Sequence, residues 1–159
     1  MRTRQPRRIA GFIPLVPAWR YALFAESLVL LIGAAAAIRF LPFARLRALA
    51  SRRLGGAGPK AAARAELVAR VRWAVAAAAR RSPARAKCFE QGLTAQIMLR
   101  RRGIDSTLYY GASTEPEGAM RTHVWVRAGD VAVCGTRAAE DFEIMLALPD
   151  VSQRAAIPG

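Results

Sequence analysis

The chain has 159 residues, 53% of them hydrophobic, and a formal net charge of +14. That length suits one domain with a modest N-terminal extension, and the apolar fraction excludes a wholly disordered chain. The positive charge comes almost wholly from arginine, lysine occurring only at positions 60 and 87, and such a surface attracts polyanions, anionic headgroups or acidic proteins. Two cysteines without paired spacing argue against a disulfide framework and fit a reducing cytoplasm. There is no zinc-type cluster, and no metal or other cofactor is expected.

Residues 1–20 are basic and carry prolines at 6, 14 and 17, which predicts mostly irregular chain. An apolar stretch, A-L-F-A-E-S-L-V-L-L-I-G-A-A-A-A-I-R-F-L-P-F, follows. Its uninterrupted part, Ser27 to Ile38, is short against the about 20 apolar residues of a spanning helix. A signal peptide is not expected, because the basic segment before the stretch is long for one and Glu26 and Gly33 fall where its apolar region would be. The expectation is a helix buried on the domain or lying on an anionic membrane surface, which makes the protein cytoplasmic and peripheral at the inner membrane face. Pro42 ends or kinks this helix, and A-R-L-R-A-L-A-S-R-R continues it as a basic turn or two.

L-G-G-A-G-P-K, residues 54–60, reads as a linker. It divides a basic, apolar-helical segment, 1–53, from a domain over 61–159. Residues 61–81 then predict a helix with Leu67, Val71, Ala74, Val75 and Ala78 as its apolar stripe. Ser82-Pro83 breaks it. Cys88 to Arg102 forms the next helix, with Phe89, Leu93, Ile97 and Leu99 as core contacts. Gly103 occupies the cap, and Arg100, Arg101 and Arg102 suit the negative helix end. Beyond it the period changes to strands at S-T-L-Y-Y-G, T-H-V-W-V-R and D-V-A-V-C, with T-E-P-E-G as a loop and Ala128-Gly129 as a hairpin turn. E-D-F-E-I-M-L-A-L-P is a final short helix or strand. Helices followed by a small antiparallel sheet make an α+β domain.

Two residues carry the chemistry. Cys88 opens a helix, where unpaired backbone N–H groups favour a thiolate, and cationic Arg85 and Lys87 stand beside it. Gly92, one turn on, leaves room for backbone or substrate to approach. His123 lies on a strand and is the only histidine, so any imidazole base for Cys88 is His123. A two-residue turn at Ala128-Gly129 would pair Arg127 with Asp130 and set His123 opposite Cys134, or opposite Gly135 were the turn one residue longer. Neither offers the carboxylate or amide that orients the histidine of a triad. Asp130 is expected at the turn itself.

The stretch C-F-E-Q-G-L-T-A-Q-I-M-L-R-R-R-G-I-D-S-T-L-Y-Y-G, followed by T-H-V-W-V-R-A-G-D, resembles the transglutaminase-like leader peptidases of lasso-peptide biosynthesis. The upstream apolar segment is similar to that family's helical N-terminal portion, so the likeness runs from about Ala22 to the C-terminus. The resemblance implies a transglutaminase-like, papain-like core with Cys88 as nucleophile and His123 as general base. It implies a cysteine peptidase that cuts the leader from a ribosomally made precursor peptide before a separate ATP-dependent macrolactam synthetase closes the ring. It also implies a separate leader-binding protein, because residues 1–60 read as helical and basic rather than as a winged module. The competing reading is a catalytically inactive interaction protein of the same fold and the same maturation complex. Nucleic acid is not an expected partner, since the arginines are scattered over helices rather than interleaved with aromatics on a strand face.

Overall fold

The computed structural model describes residues 17–52, 54–82, 86–115 and 118–149. Arg85 and the basic segment before Pro17 lie outside the described residues. Four helices precede a four-stranded antiparallel sheet: α1 (Ala18–Phe40), α2 (Phe43–Ser51), α3 (Ala61–Arg81), α4 (Cys88–Arg101), β1 (Thr107–Thr114), β2 (Met120–Ala128), β3 (Val131–Cys134) and β4 (Glu143–Leu148). A 3₁₀ turn over Thr136–Asp141 joins β3 to β4, and the strand order is β3-β2-β1-β4. The protein is an α+β fold.

α4 is its centre. Every residue from Gly92 to Arg100 is buried, with Leu93, Met98 and Leu99 at the core. A helix so enclosed must meet the sheet closely, and Gly92 is where it does. A Cβ there would lie 2.7 Å from Val124 Cγ1, so the space left by the missing side chain is filled by β2 and not by substrate. The helix ends as expected: Gly103 takes φ +68 and Ile104 N donates to Leu99 O at 3.0 Å, recovering a terminal carbonyl.

The arginines at that end do more than complement a dipole. Arg100 is buried and donates from Nη1 to Ser51 O at 2.6 Å and Arg52 O at 3.1 Å, capping the C-terminus of α2. Arg102 donates to its own helix at Met98 O and also pairs with Glu26 of α1, where Nη2 and Oε2 are 2.5 Å apart. Gln96, fully buried, donates to Ala50 O, Ser106 O and Leu148 O, and accepts from Ser106 Oγ at 2.7 Å. One side chain thus ties α4 to the end of α2, the entry to β1 and the end of β4.

α1 extends past the twelve-residue apolar run through Glu26 and Arg39, starting just after Pro17 and stopping before Leu41, which Pro42 forces into extended backbone. Its 23 residues, with a mean hydropathy of 2.0 over the most apolar window, are by length and composition enough to cross a membrane. Leu23, Ser27, Leu31 and Ala34 nevertheless form a buried stripe on it, and α1 packs against α3 and α4. Trp19 meets Trp73 of α3 edge-on at 5.8 Å between ring centroids. On α3 the buried stripe runs through Val68, Val71, Ala74, Val75 and Ala78, with Leu67 half-buried at its margin. The 54–60 segment is no free spacer, because it packs on the end of α4. A Cβ on Gly58 would lie 2.4 Å from Gly103 O, and one on Gly55 2.7 Å from Arg100 O.

Candidate active site

The N-terminus of α4 is set by its first residue. Lys87 is in extended backbone as the cap, and the first helical bond, Gln91 N to Lys87 O at 3.2 Å, closes one turn over Cys88, Phe89 and Glu90. The Gln91 side-chain amide reaches back to donate to Ala86 O at 2.7 Å, fixing the chain just before the thiol. Cys88 is half-buried and packs against the hydrophobic core beside Phe89. Its Sγ lies at the end of a helix whose opening N–H groups point out of the turn.

His123 comes from β2, opposite Gly111 of β1. Its ring centroid is 5.1 Å from that of Phe142 and 6.1 Å from that of Trp125, and Trp125 in turn stacks on Tyr109. The Nε2 atom is 2.6 Å from the carbonyl oxygen of Gly135. A carbonyl only accepts, so Nε2 carries the proton and the neutral ring keeps its lone pair on Nδ1. The carbonyl can approach because Gly135 takes φ +70, ψ 0, and a Cβ there would lie 2.3 Å from Val124 O. Only glycine fits that backbone at that distance.

The hairpin leading to Gly135 differs from its expected register. The turn is Gly129-Asp130, one residue later than Ala128-Gly129, since Gly129 takes φ +63 and Ala128 continues the ladder opposite Val131. Arg127 therefore pairs with Ala132, its side chain donating to Asp130 O at 2.8 Å, and Asp130 is a turn residue as expected. A bulge then brings Val126 opposite Cys134, so Cys134 does not face His123. What lies beside the imidazole is the backbone of Gly135. No carboxylate or amide side chain hydrogen-bonds His123 among the described residues.

Cys134, opposite Val126, is half-buried, and loss of solvent around its sulfur pushes its thiol up to about 12, with Cys88 near enough to add to the shift. It stays a neutral thiol at physiological pH and is not a second nucleophile. His123, Cys134 and Gly135 line a cavity of about 560 Å³ together with Gln91 from the first turn of α4. Cys88 stands one turn before Gln91 and does not hydrogen-bond His123 in this state. The structure thus brings His123 to the cavity at the N-terminal end of α4 and leaves the thiol and imidazole unjoined. Among the described residues no group of three or more His, Cys, Asp or Glu could hold a metal ion.

Two features of the site were missed by sequence reasoning. Gly135 stood there as the alternative residue opposite His123, but its carbonyl was not recognised as the hydrogen-bond partner. Gln91 fixing the approach to Cys88 had no signal, because a glutamine in a first helical turn is ordinary.

The family model described as the transglutaminase-like superfamily matches residues 28–147, and the chain belongs to that superfamily. The match begins within α1 and ends within β4, so it takes in α2, α3, α4 and β1–β3 entire. No curated protein and no solved structure matches the chain.

Proposed function

We propose that this protein is a cysteine peptidase that removes the leader from a ribosomally made lasso-peptide precursor, with Cys88 as nucleophile and His123 as base. The observation that carries the reading is a thiol opening the central helix of a transglutaminase-like domain, next to a cavity lined by the only histidine. In the reaction Sγ attacks the scissile carbonyl and His123 Nδ1 takes the thiol proton. The N–H groups at the start of α4 stabilise the oxyanion, and the imidazolium then protonates the leaving amine as the C–N bond breaks. Water, deprotonated by the same nitrogen, hydrolyses the thioester and frees the thiol. The Gly135 carbonyl holds the tautomer that puts the lone pair on Nδ1. Substrate closure joins the thiol and imidazole, as is common for catalytic hydrogen bonds that are loose in the free enzyme.

The same reading supplies the partners: the precursor, a separate leader-binding protein that delivers it, and an ATP-dependent macrolactam synthetase that uses the freed amine. No metal or other cofactor enters the mechanism. It places the protein in the cytoplasm, peripheral at the inner membrane face through the exposed side of α1. The test is mass spectrometry of precursor incubated with the leader-binding protein, the synthetase and either wild type or Cys88→Ala. Wild type is expected to release the leader and Cys88→Ala to release none while its circular dichroism is unchanged. Cleavage by Cys88→Ala at the wild-type rate would remove Cys88 from the mechanism. A second reading, an inactive interaction protein in the same complex, is favoured by the lack of an acidic partner of His123 among the described residues and by the unjoined thiol. It predicts that neither protein cuts.

A further inference from the structure

The cavity beside His123 has a charge pattern that the cleavage reading does not use. Arg72 and Arg80 line it from α3, Arg137 lines it from the 3₁₀ turn, and among the described residues no Asp or Glu lines it. Val75 and Val133 supply buried apolar lining. Arg72, Ala76 and Arg80 are four residues apart in succession, so they stand above one another on one helix face with the small alanine between the two guanidinium groups. Other arginines are engaged: Arg70 with Glu66, Arg102 with Glu26, Arg121 with Glu115. Arg72, Arg80 and Arg137 make no ion pair among the described residues.

We infer that this groove binds an acidic, extended segment of the peptide substrate, so that carboxylate side chains near the cut bond determine which peptide is taken. The inference rests on the cleavage reading for the word substrate, though the binding step does not depend on it. The spacing narrows it further. The two α3 arginines are eight residues apart, about 12 Å along the helix axis. On an extended peptide that distance corresponds to side chains about three to four residues apart. An acidic pair at that separation meets both guanidinium groups, and Arg137 adds a third from the 3₁₀ turn. Like charges without partners also repel one another across the groove, a cost that an anionic occupant relieves.

The experiment uses two fluorescent peptides, one with two glutamates four residues apart and one with glutamines in their place. Anisotropy gives Kd on the full chain carrying Cys88→Ala, and kcat/KM is measured on the otherwise unchanged chain. One variant is Arg72→Gln/Arg80→Gln/Arg137→Gln. Its control, Arg39→Gln/Arg45→Gln/Arg47→Gln, removes the same charge from α1 and α2. The glutamate peptide is expected to bind at least ten-fold more tightly than the glutamine peptide. The groove variant should lose about that factor and the control less than two-fold, since single exposed pairs are weak and three converge here. Equal losses in the two variants would assign binding to the overall field and overturn the inference. So would equal binding of the two peptides, or a single-stranded oligonucleotide binding the groove more tightly than the acidic peptide. Tight, groove-dependent binding of the glutamate peptide with no cleavage by wild type would uphold the groove and remove the peptidase reading. Cleavage without discrimination would do the reverse.

Discussion

Gly135 is the residue on which the orientation of His123 depends, and it acts through its backbone. A side chain at φ +70 with its Cβ 2.3 Å from Val124 O must push the loop away and carry the carbonyl off Nε2. Gly135→Ala is therefore expected to lower kcat by roughly ten- to a hundred-fold with little change in KM, because the wrong tautomer has its proton where the lone pair is needed. A merely structural role would lower stability without touching the tautomer. Imidazole ¹⁵N spectra separate the two, and because His123 is the only histidine its signals need no assignment. Wild type should show a protonated Nε2 and Gly135→Ala a mixture. An unchanged tautomer together with lost activity would take Gly135 out of the orienting role. At this scale Cys88 as the first residue of a helix and His123 on a strand were legible in the sequence, because each depends on local pattern alone. The partner of His123 was not, because it depends on where a hairpin turns, and the positive φ of Gly129 moved that turn by one residue.

Among the elements, α4 decides whether the fold closes, and most of it was readable. Phe89, Leu93 and Ile97 follow the helical period, and Gly103 marks the end. Its burial on every side was not readable, since Gln96 and Arg100 look like solvent residues until the carbonyls of other elements converge on them. Those carbonyls lie at the ends of α2 and β4 and just before β1, brought together only by the tertiary fold. The same limit explains Gly92, which reads as free space in one dimension and as a helix–sheet contact in three. It explains the 54–60 segment too, whose glycines permit close packing as readily as flexibility. Gln96→Met keeps the size of the side chain and removes its polar atoms, leaving Ala50 O, Ser106 O, Leu148 O and Ser106 Oγ without their shared partner. Buried groups left unpaired cost about 1–3 kcal/mol each, partly recovered by relaxation. A loss of about 3 kcal/mol in urea unfolding is expected. A loss below about 1 kcal/mol would mean that water replaces the amide and that the hub is not what joins these elements.

Over the whole molecule, charge and apolar surface are arranged around α1. One side of it is held by the domain, with Glu26 paired to Arg101 and Arg102 and with Ser27 and Leu31 buried. The other side carries Tyr21, Val29 and Ile32 exposed, continued at its end by Phe40 and by Phe43 of α2. Exposed arginines at 39, 45 and 47 flank that surface. A helix of this length, about 34 Å, reaches across a hydrocarbon core, so length does not exclude a span. Packing is the stronger constraint: to be surrounded by lipid, α1 must leave α3 and α4 and break the Glu26 pairs, exposing the core that Leu23 and Leu31 cover. Lying flat needs neither step, since the outer face enters the headgroup boundary while the inner face stays docked and the arginines meet anionic lipid. Membranes from cells expressing the full chain are expected to release it in high salt or carbonate, because salt screens the electrostatic part of the attachment. Val29→Glu/Ile32→Glu should release it at lower salt and leave the circular dichroism unchanged, as both side chains already face outward. Retention through carbonate and release only by detergent would mean that α1 spans the bilayer and that its packing on α3 and α4 gives way to lipid.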